Sequence, residues 1–196
     1  MRRVLAGLGM ALGLWLALPA AAQTPMGAGA AVQGAARLVT GAGAADLTPG
    51  ATLNESDLVL TGPNALALLL LNPETQIHLG PDSALTLTRD LASVGGTLML
   101  GGAMVFDRPP GGVPLTLVTA FGEIGVRGTR FFVGPSEEVF AVFVDRGQVE
   151  VTAEGVSVTL TAGQGTELAE GQPPAPPAAW GAARIAAAFG SVGLAR

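Results

Sequence analysis

The 196-residue sequence predicts an all-β fold, a sandwich- or solenoid-like stack of many short strands with a short C-terminal helix. Short runs of β-type residues recur along the chain, bounded by turn residues. The 29 Gly and 14 Pro are placed mostly between those runs, which suits tight turns rather than long helices. No helical period of useful length precedes about residue 172, so there is no room for the crossover helices of a parallel α/β sheet.

Val32–Thr40 reads as the first strand and Thr48-Pro49-Gly50 as a turn. Asp57–Thr61 is a second strand, stopped by Gly62-Pro63-Asn64. Ala65–Leu71 does not alternate and is expected to be buried on both faces. Asn72-Pro73-Glu74 turns the chain into Gln76–Leu79, and Gly80-Pro81-Asp82 turns it again into Ser83–Thr88, with Leu85 and Leu87 inward. After Arg89-Asp90 and Gly95-Gly96 come Thr97–Leu100 and Ala103–Phe106, then a Pro109–Gly112 loop. Leu115–Phe121, Glu123–Arg127, Arg130–Val133, Glu138–Val144, Gln148–Thr152 and Val156–Leu160 complete the series. Asp145-Arg146-Gly147 and Ala153-Glu154-Gly155 read as hairpin turns.

The ends differ in character. Residues 1–22 have the layout of a cleavable secretory signal: a basic Met1-Arg2-Arg3, an apolar run from Val4 to Leu18, and small residues up to Ala22. The run is about 15 residues, short of the roughly 20 that cross a bilayer, and no later segment is long enough to span one. The mature chain is therefore expected in the periplasm. Residues 23–31 are Gly/Ala-rich and expected to be a flexible start, residues 32–170 the β domain, and residues 171–178 a Pro-rich linker. Residues 179–196 form the helical tail, with Trp180, Ile185, Phe189 and Val192 along one stripe. That stripe either packs back on the β domain or docks a partner.

Composition narrows the chemistry. All ten basic residues are Arg, and the formal charge is −5, so the chain lacks the basic face that nucleic acid requires. With no Cys, disulfides, thiolate nucleophiles and Cys-based metal sites are excluded. His78 is the sole histidine; it makes no metal cage by itself, and no Gly-x-Ser-x-Gly elbow accompanies Ser83 or Ser136 as a nucleophile. Glu137-Glu138 would point apart on a strand and read as a solvated turn rather than a glycosidase pair. No catalytic residue, metal site or cofactor is assigned, and the chain is read as not an enzyme.

Several segments together resemble a known family. Asp57–Gly62, an apolar strand, then Ile77-His78-Leu79-Gly80-Pro81-Asp82-Ser83 and Leu85-Thr86-Leu87 are similar to the first half of the FecR domain. Val118–Phe131, containing Val126-Arg127-Gly128-Thr129, resembles that family's signature; Val142–Val151 and Leu160–Gly165 follow in the same order. The resemblance covers residues 32–168, with Ala120 where Pro is usual and Asn72-Pro73-Glu74 in place of an Asp-Gly turn. The founding iron-citrate regulators add a cytoplasmic anti-sigma segment, a membrane helix and a further signalling domain, and this chain is expected to carry only the exported β module. The resemblance implies a non-catalytic sensing or protein-interaction module whose partner is another envelope or membrane protein. An envelope carbohydrate- or peptidoglycan-binding module is the alternative, disfavoured by a mature chain with Trp180 and no Tyr.

Two sets of residues stand out as sites. Val126, Arg127, Gly128 and Thr129 read either as a fold-defining corner, with Gly128 supplying the bend, or as a binding site built on Arg127. Glu123, Asp145 and Glu150 are the candidate carboxylates for that guanidinium. Phe132, Phe140, Phe143 and Trp180 form the candidate interaction surface. Phe131 and Phe132 must face opposite sides of a strand, so some rings lie on an outer face or under a second layer such as the C-terminal helix.

Overall fold

The structure is a computed structural model describing residues 25–71, 74–88, 96–111 and 113–195. The expected leader, residues 1–22, and the turns expected at Asn72-Pro73 and from Arg89 to Gly95 lie outside the described residues.

Two nine-stranded sheets form a sandwich. Sheet I runs, in order across it, β18 (Ala178–Ala179), β17 (Gln164–Leu168), β14 (Val139–Arg146), β13 (Arg130–Ser136), β10 (Met104–Asp107), β7 (Thr75–Leu79), β6 (Leu66–Leu71), β1 (Pro25–Gln33) and β4 (Thr52–Asn54). Sheet II runs β16 (Val156–Thr161), β15 (Gln148–Ala153), β12 (Gly122–Val126), β11 (Leu115–Thr119), β9 (Gly96–Gly101), β8 (Ala84–Leu87), β5 (Leu58–Thr61), β2 (Ala36–Thr40) and β3 (Gly43–Asp46). A helix, α1 (Ala182–Gly190), follows.

From β5 onward the chain advances across the sandwich by crossing between sheets every one or two strands. Most neighbours are antiparallel, but β9 and β11 are parallel, with Leu98 beside Leu117. Parallel neighbours need a crossover, and here β10, a strand of the opposite sheet, supplies it where an α/β protein would use a helix.

This winding changes the meaning of two turns. Asp145-Arg146-Gly147 is not a hairpin: β14 lies in sheet I and β15 in sheet II, so the segment is a corner between sheets. Glu154-Gly155 does close a hairpin, β15 to β16. Likewise Arg127-Gly128-Thr129 carries the chain from β12 in sheet II to β13 in sheet I.

The main core lies between the sheets, where Leu69, Ile77, Leu85, Leu117, Phe131 and Val151 are fully buried. A second apolar cluster lies on the outer face of sheet I beneath α1: Val105, Phe132 and Phe143 from the strands, Phe189 and Val192 from the C-terminal segment. Where α1 covers the sheet, burial is continuous, as in Phe131–Gly134 and Ala141–Val144. Where it does not, burial alternates. β6 is such a strand, and the expectation that it is buried on both faces fails. Ala67, Leu69 and Leu71 face the core, whereas Leu70 on the outer face is 45% exposed.

The expected flexible start is instead β1, paired with β4 on one side and β6 on the other. Gly and Ala are weak strand formers, but these two ladders supply the hydrogen bonds. The long first strand divides into β1 and β2 at Gly34, whose φ is +75°. β3, β4, β17 and β18 are additional to the strands expected from the sequence. The Pro-rich linker is tied down: Thr166 Oγ1 donates to the Ala175 carbonyl at 2.6 Å, and the Ala175 amide donates to Glu167 O at 3.0 Å. The helix is shorter than the helical tail expected over residues 179–196, with Trp180 ahead of it on the sheet.

Candidate functional site

The polar residues of the FecR-like motifs hold turns and corners. Asp57, buried, accepts the Asn54 amide at 2.8 Å. Thr61 Oγ1 donates to Gly80 O at 2.6 Å and accepts the Ser83 amide at 2.9 Å, tying β5 to the Gly80–Ser83 turn. Ser83 Oγ accepts the Ala103 amide at 3.0 Å. Asp57, Thr61 and Ser83 thus each satisfy a backbone group that a strand ladder leaves unpaired.

The signature corner works in the same way. Gly128 has φ +68°, and a Cβ there would lie 2.5 Å from Pro110 Cα and 2.8 Å from Pro109 O. Thr129 is fully buried, and its Oγ1 donates to Gln148 O at 2.9 Å, which pins this corner to the one after β14. Val126 is buried in the main core. Arg127 is exposed. Of the carboxylates considered for it, Asp145 pairs with Arg130 instead, at 3.6 Å.

A charged rim follows on the outer face of sheet I. Arg130 Nε lies 3.6 Å from Asp107 Oδ2, and Arg146 Nη2 donates to Asp107 Oδ1 at 2.7 Å. The Arg130 guanidinium also sits 5.4 Å from the Phe189 ring centroid. This joins the rim to α1 by a cation–π contact. The cluster carries no signal in the sequence. Its members sit far apart in the chain, and only the β10–β13–β14 register brings them together.

His78 stands on β7 between the rim and the outer row of β6, opposite Val105 and Leu68. Burial holds its imidazole below the ordinary value of 6.5; the Arg130 charge pushes it further down, and Asp107 partly opposes this. Neither serine considered as a nucleophile is free. Ser83 Oγ is held by the turn into β10, and Ser136 Oγ accepts Arg184 Nε at 3.1 Å.

The four aromatics singled out from the sequence do not form one open surface. Phe132 and Phe143 are fully buried beneath α1. Phe140 packs on the main core, stacked on Phe121 at 4.5 Å. Trp180 stacks on Phe143 at 5.0 Å and carries the Arg184 guanidinium 3.9 Å from its centroid. Arg184 in turn pairs with Glu167 at 3.0 Å and Glu137 at 3.4 Å. Trp180, Arg184 and these two carboxylates line a cavity of about 480 Å³ beside β17 and β18.

An open apolar surface lies elsewhere on sheet I. Leu66, Leu68 and Leu70 project from β6 away from the core, next to Ala28 and Ala31 of β1. The turn after α1 ends this row, with Gly193 seated on Leu66. A shallow cavity of about 260 Å³ lies between them, with His78 on its wall. Among the described residues no helix is long and apolar enough to cross a membrane, and no cluster of three His, Cys, Asp or Glu could hold a metal.

The chain is thus a two-sheet β-sandwich with an outer helix, whose motif residues serve its corners. Residues 57–150 match the family model described as FecR protein. The chain therefore carries a FecR-type domain, and the sandwich continues beyond the matched stretch on both sides, through β1–β4 and from β16 to α1. Two crystal structures of a candidate anti-sigma factor from Parabacteroides distasonis ATCC 8503 share the fold, each with a TM-score of 0.58 at 18% identity. The alignment covers 65% of this chain and 62% of that one. No curated protein matches the sequence.

Proposed function

We propose that the mature chain is a periplasmic, non-catalytic sensing or protein-interaction module that recognises another envelope or membrane protein through the outer face of sheet I. The observation that carries this is the leucine row of β6, with Leu70 45% exposed beside the charged rim and α1. A row of outward leucines on a folded domain is costly to leave in water and fits an apolar segment of a partner. The FecR-type domain and the fold shared with a candidate anti-sigma factor support a role in signalling. In this reading the Val126–Thr129 corner shapes the domain and does not react. Phe132, Phe143 and Trp180 join the contact surface only where α1 lifts from the sheet.

The test is affinity capture from an envelope extract with the mature chain and with Leu68→Glu/Leu70→Glu, both outer-face changes that leave the inward residues intact. Specific membrane or envelope proteins retained by the first and lost at least tenfold by the second support the reading. Retention on purified cell-wall polymer, competed by soluble glycan and reduced by Trp180→Ala, overturns it in favour of carbohydrate binding at the Trp180 cavity.

A further inference from the structure

Among the described residues, sheet II ends at β16, which pairs with β15 on one side and has no strand on the other. The other three sheet edges are blunted. β18 has two residues, β4 three, and β3 is Gly-Ala-Ala-Asp, ending on a charge. β16 has six residues, Val-Ser-Val-Thr-Leu-Thr, with no Gly, Pro or charge. Residues 155–166 carry no ionisable side chain at all, in a protein of formal charge −5. A long, uncharged, β-branched edge lacks the devices that normally prevent strand pairing.

The turn determines which backbone groups are open. Glu154 and Gly155 have φ of +49° and +72°, the two-residue hairpin with both central residues left-handed. Such a turn directs the Val156 amide at the Ala153 carbonyl. Direction alternates along a strand, so Val156, Val158 and Leu160 address β15, while Ser157, Thr159 and Thr161 face outward. The Thr161 amide agrees, since it donates to Gln164 Oε1 at 2.9 Å. The amides and carbonyls of Ser157 and Thr159 remain open. Side chains divide the same way: Leu160 is buried, Val158 packs on the main core, and Val156 is 46% exposed at the end of that core.

We propose that β16 pairs antiparallel with β16 of a second copy of this chain, about a twofold axis at Val158. That register sets Ser157 opposite Thr159 of the other copy, twice, and so uses every open amide and carbonyl of both residues. It sets Val156 opposite Leu160 of the other copy, extending the core of each sandwich across the joint. Glu154 falls opposite Ala162, so no like charges meet. The alternation Val-Ser-Val-Thr-Leu-Thr is its own complement in this register, which favours a second copy over a foreign strand. The joint rests on β16 alone and is independent of the leucine row, so either can fail without the other.

The natural absence of Cys allows a direct test. Directly opposed residues on adjacent strands have Cβ atoms about 4.5–5.5 Å apart, within reach of a disulfide after small adjustment. In the mature chain, Val158→Cys should give a covalent dimer under mild oxidation, whereas Val156→Cys and Glu170→Cys should not. Sedimentation should show mass rising from monomer toward dimer over a roughly hundredfold concentration range. Val156→Lys, at an exposed position, should abolish this, as should Thr159→Pro, whose lost amide faces outward and leaves the β15 ladder intact; circular dichroism checks that both remain folded. Monomer throughout with no Val158→Cys dimer overturns the proposal. Preferred crosslinking at Val156 overturns the register and with it the twofold. Protection of the β16 amides from exchange only on adding a different protein overturns the second copy as occupant.

Discussion

Replacing Phe189 with Ala should release α1 while leaving the sandwich folded. Phe189 is fully buried, stands edge-on to Phe143 at 6.3 Å, and lies under the Arg130 guanidinium. Truncating a buried Phe costs about 3–5 kcal/mol. In the main core that loss would be borne by the whole domain. Here it falls on a nine-residue helix held chiefly by Phe189, Val192 and Ala188, with Ile185 and Leu194 at the margin. Ordering a short helix already costs about 1–2 kcal/mol per residue, so the docking balance is small and the substitution exceeds it. The result should be local opening, not global unfolding. Trp180 reports the event directly in a chain begun at Gln23, where Trp15 is absent and Trp180 is the sole tryptophan. Its ring would lose the α1 layer, and its emission should move to longer wavelength. Exposure of Phe132 and Phe143 should raise binding of an apolar dye, while the β signal in circular dichroism and the main denaturant midpoint stay near wild type. Emission unchanged from wild type, or loss of the β signal in parallel with it, would refute the view that α1 is a separately docked layer.

Two further outcomes follow from the geometry. Gly128→Ala should destabilise by more than about 2 kcal/mol, because the left-handed φ costs about 1–2 kcal/mol and Pro109-Pro110 must also move. Gly155→Ala, at φ +72° with no atom within 4 Å of the new Cβ, should cost only about 1–2 kcal/mol; equal denaturant midpoints for the two would show that the corner is not sterically closed. His78 should titrate below 6.5 by proton NMR, moving further down in Asp107→Asn and upward in Arg130→Gln. Since the folded imidazole resists protonation, the unfolded chain binds the proton first, and stability is lost as pH falls below about 6.5 toward the folded value. His78→Gln should remove that part of the acid sensitivity. A His78 titration above 6.5 would contradict the desolvated position.

The order and type of the elements were largely legible because their causes are local. Alternation puts Leu85 and Leu87 inward on any sheet, and Gly62-Pro63 and Gly80-Pro81 end β5 and β7, although Gly and Pro also lie inside β1 and β13. The aromatic pair Phe131-Phe132 had to face two layers, because neighbours on a strand point opposite ways. Ile185 and Phe189 marked a helix with one apolar side, although Trp180 and Val192, read as part of the same stripe, lie just outside α1. By contrast, the charged rim was invisible. Nothing near Asp107 indicates Arg130 or Arg146, and only the strand register makes them neighbours.

Tertiary structure also decided matters on which local signals are silent. Asp145-Arg146-Gly147 and Ala153-Glu154-Gly155 share the same turn chemistry, yet one passes between sheets and the other folds a sheet back on itself. The Gly/Ala-rich start became β1 because β4 and β6 offered it ladders on both sides. Leu69 and Leu71 of β6 are buried against the other sheet, whereas Leu70 on the outer face stays open because α1 does not reach over it. A residue's type and spacing set which way it faces along its own strand. Whether anything lies on that side is set by which distant strands and helix pack there, and that depends on contacts the local chain does not encode.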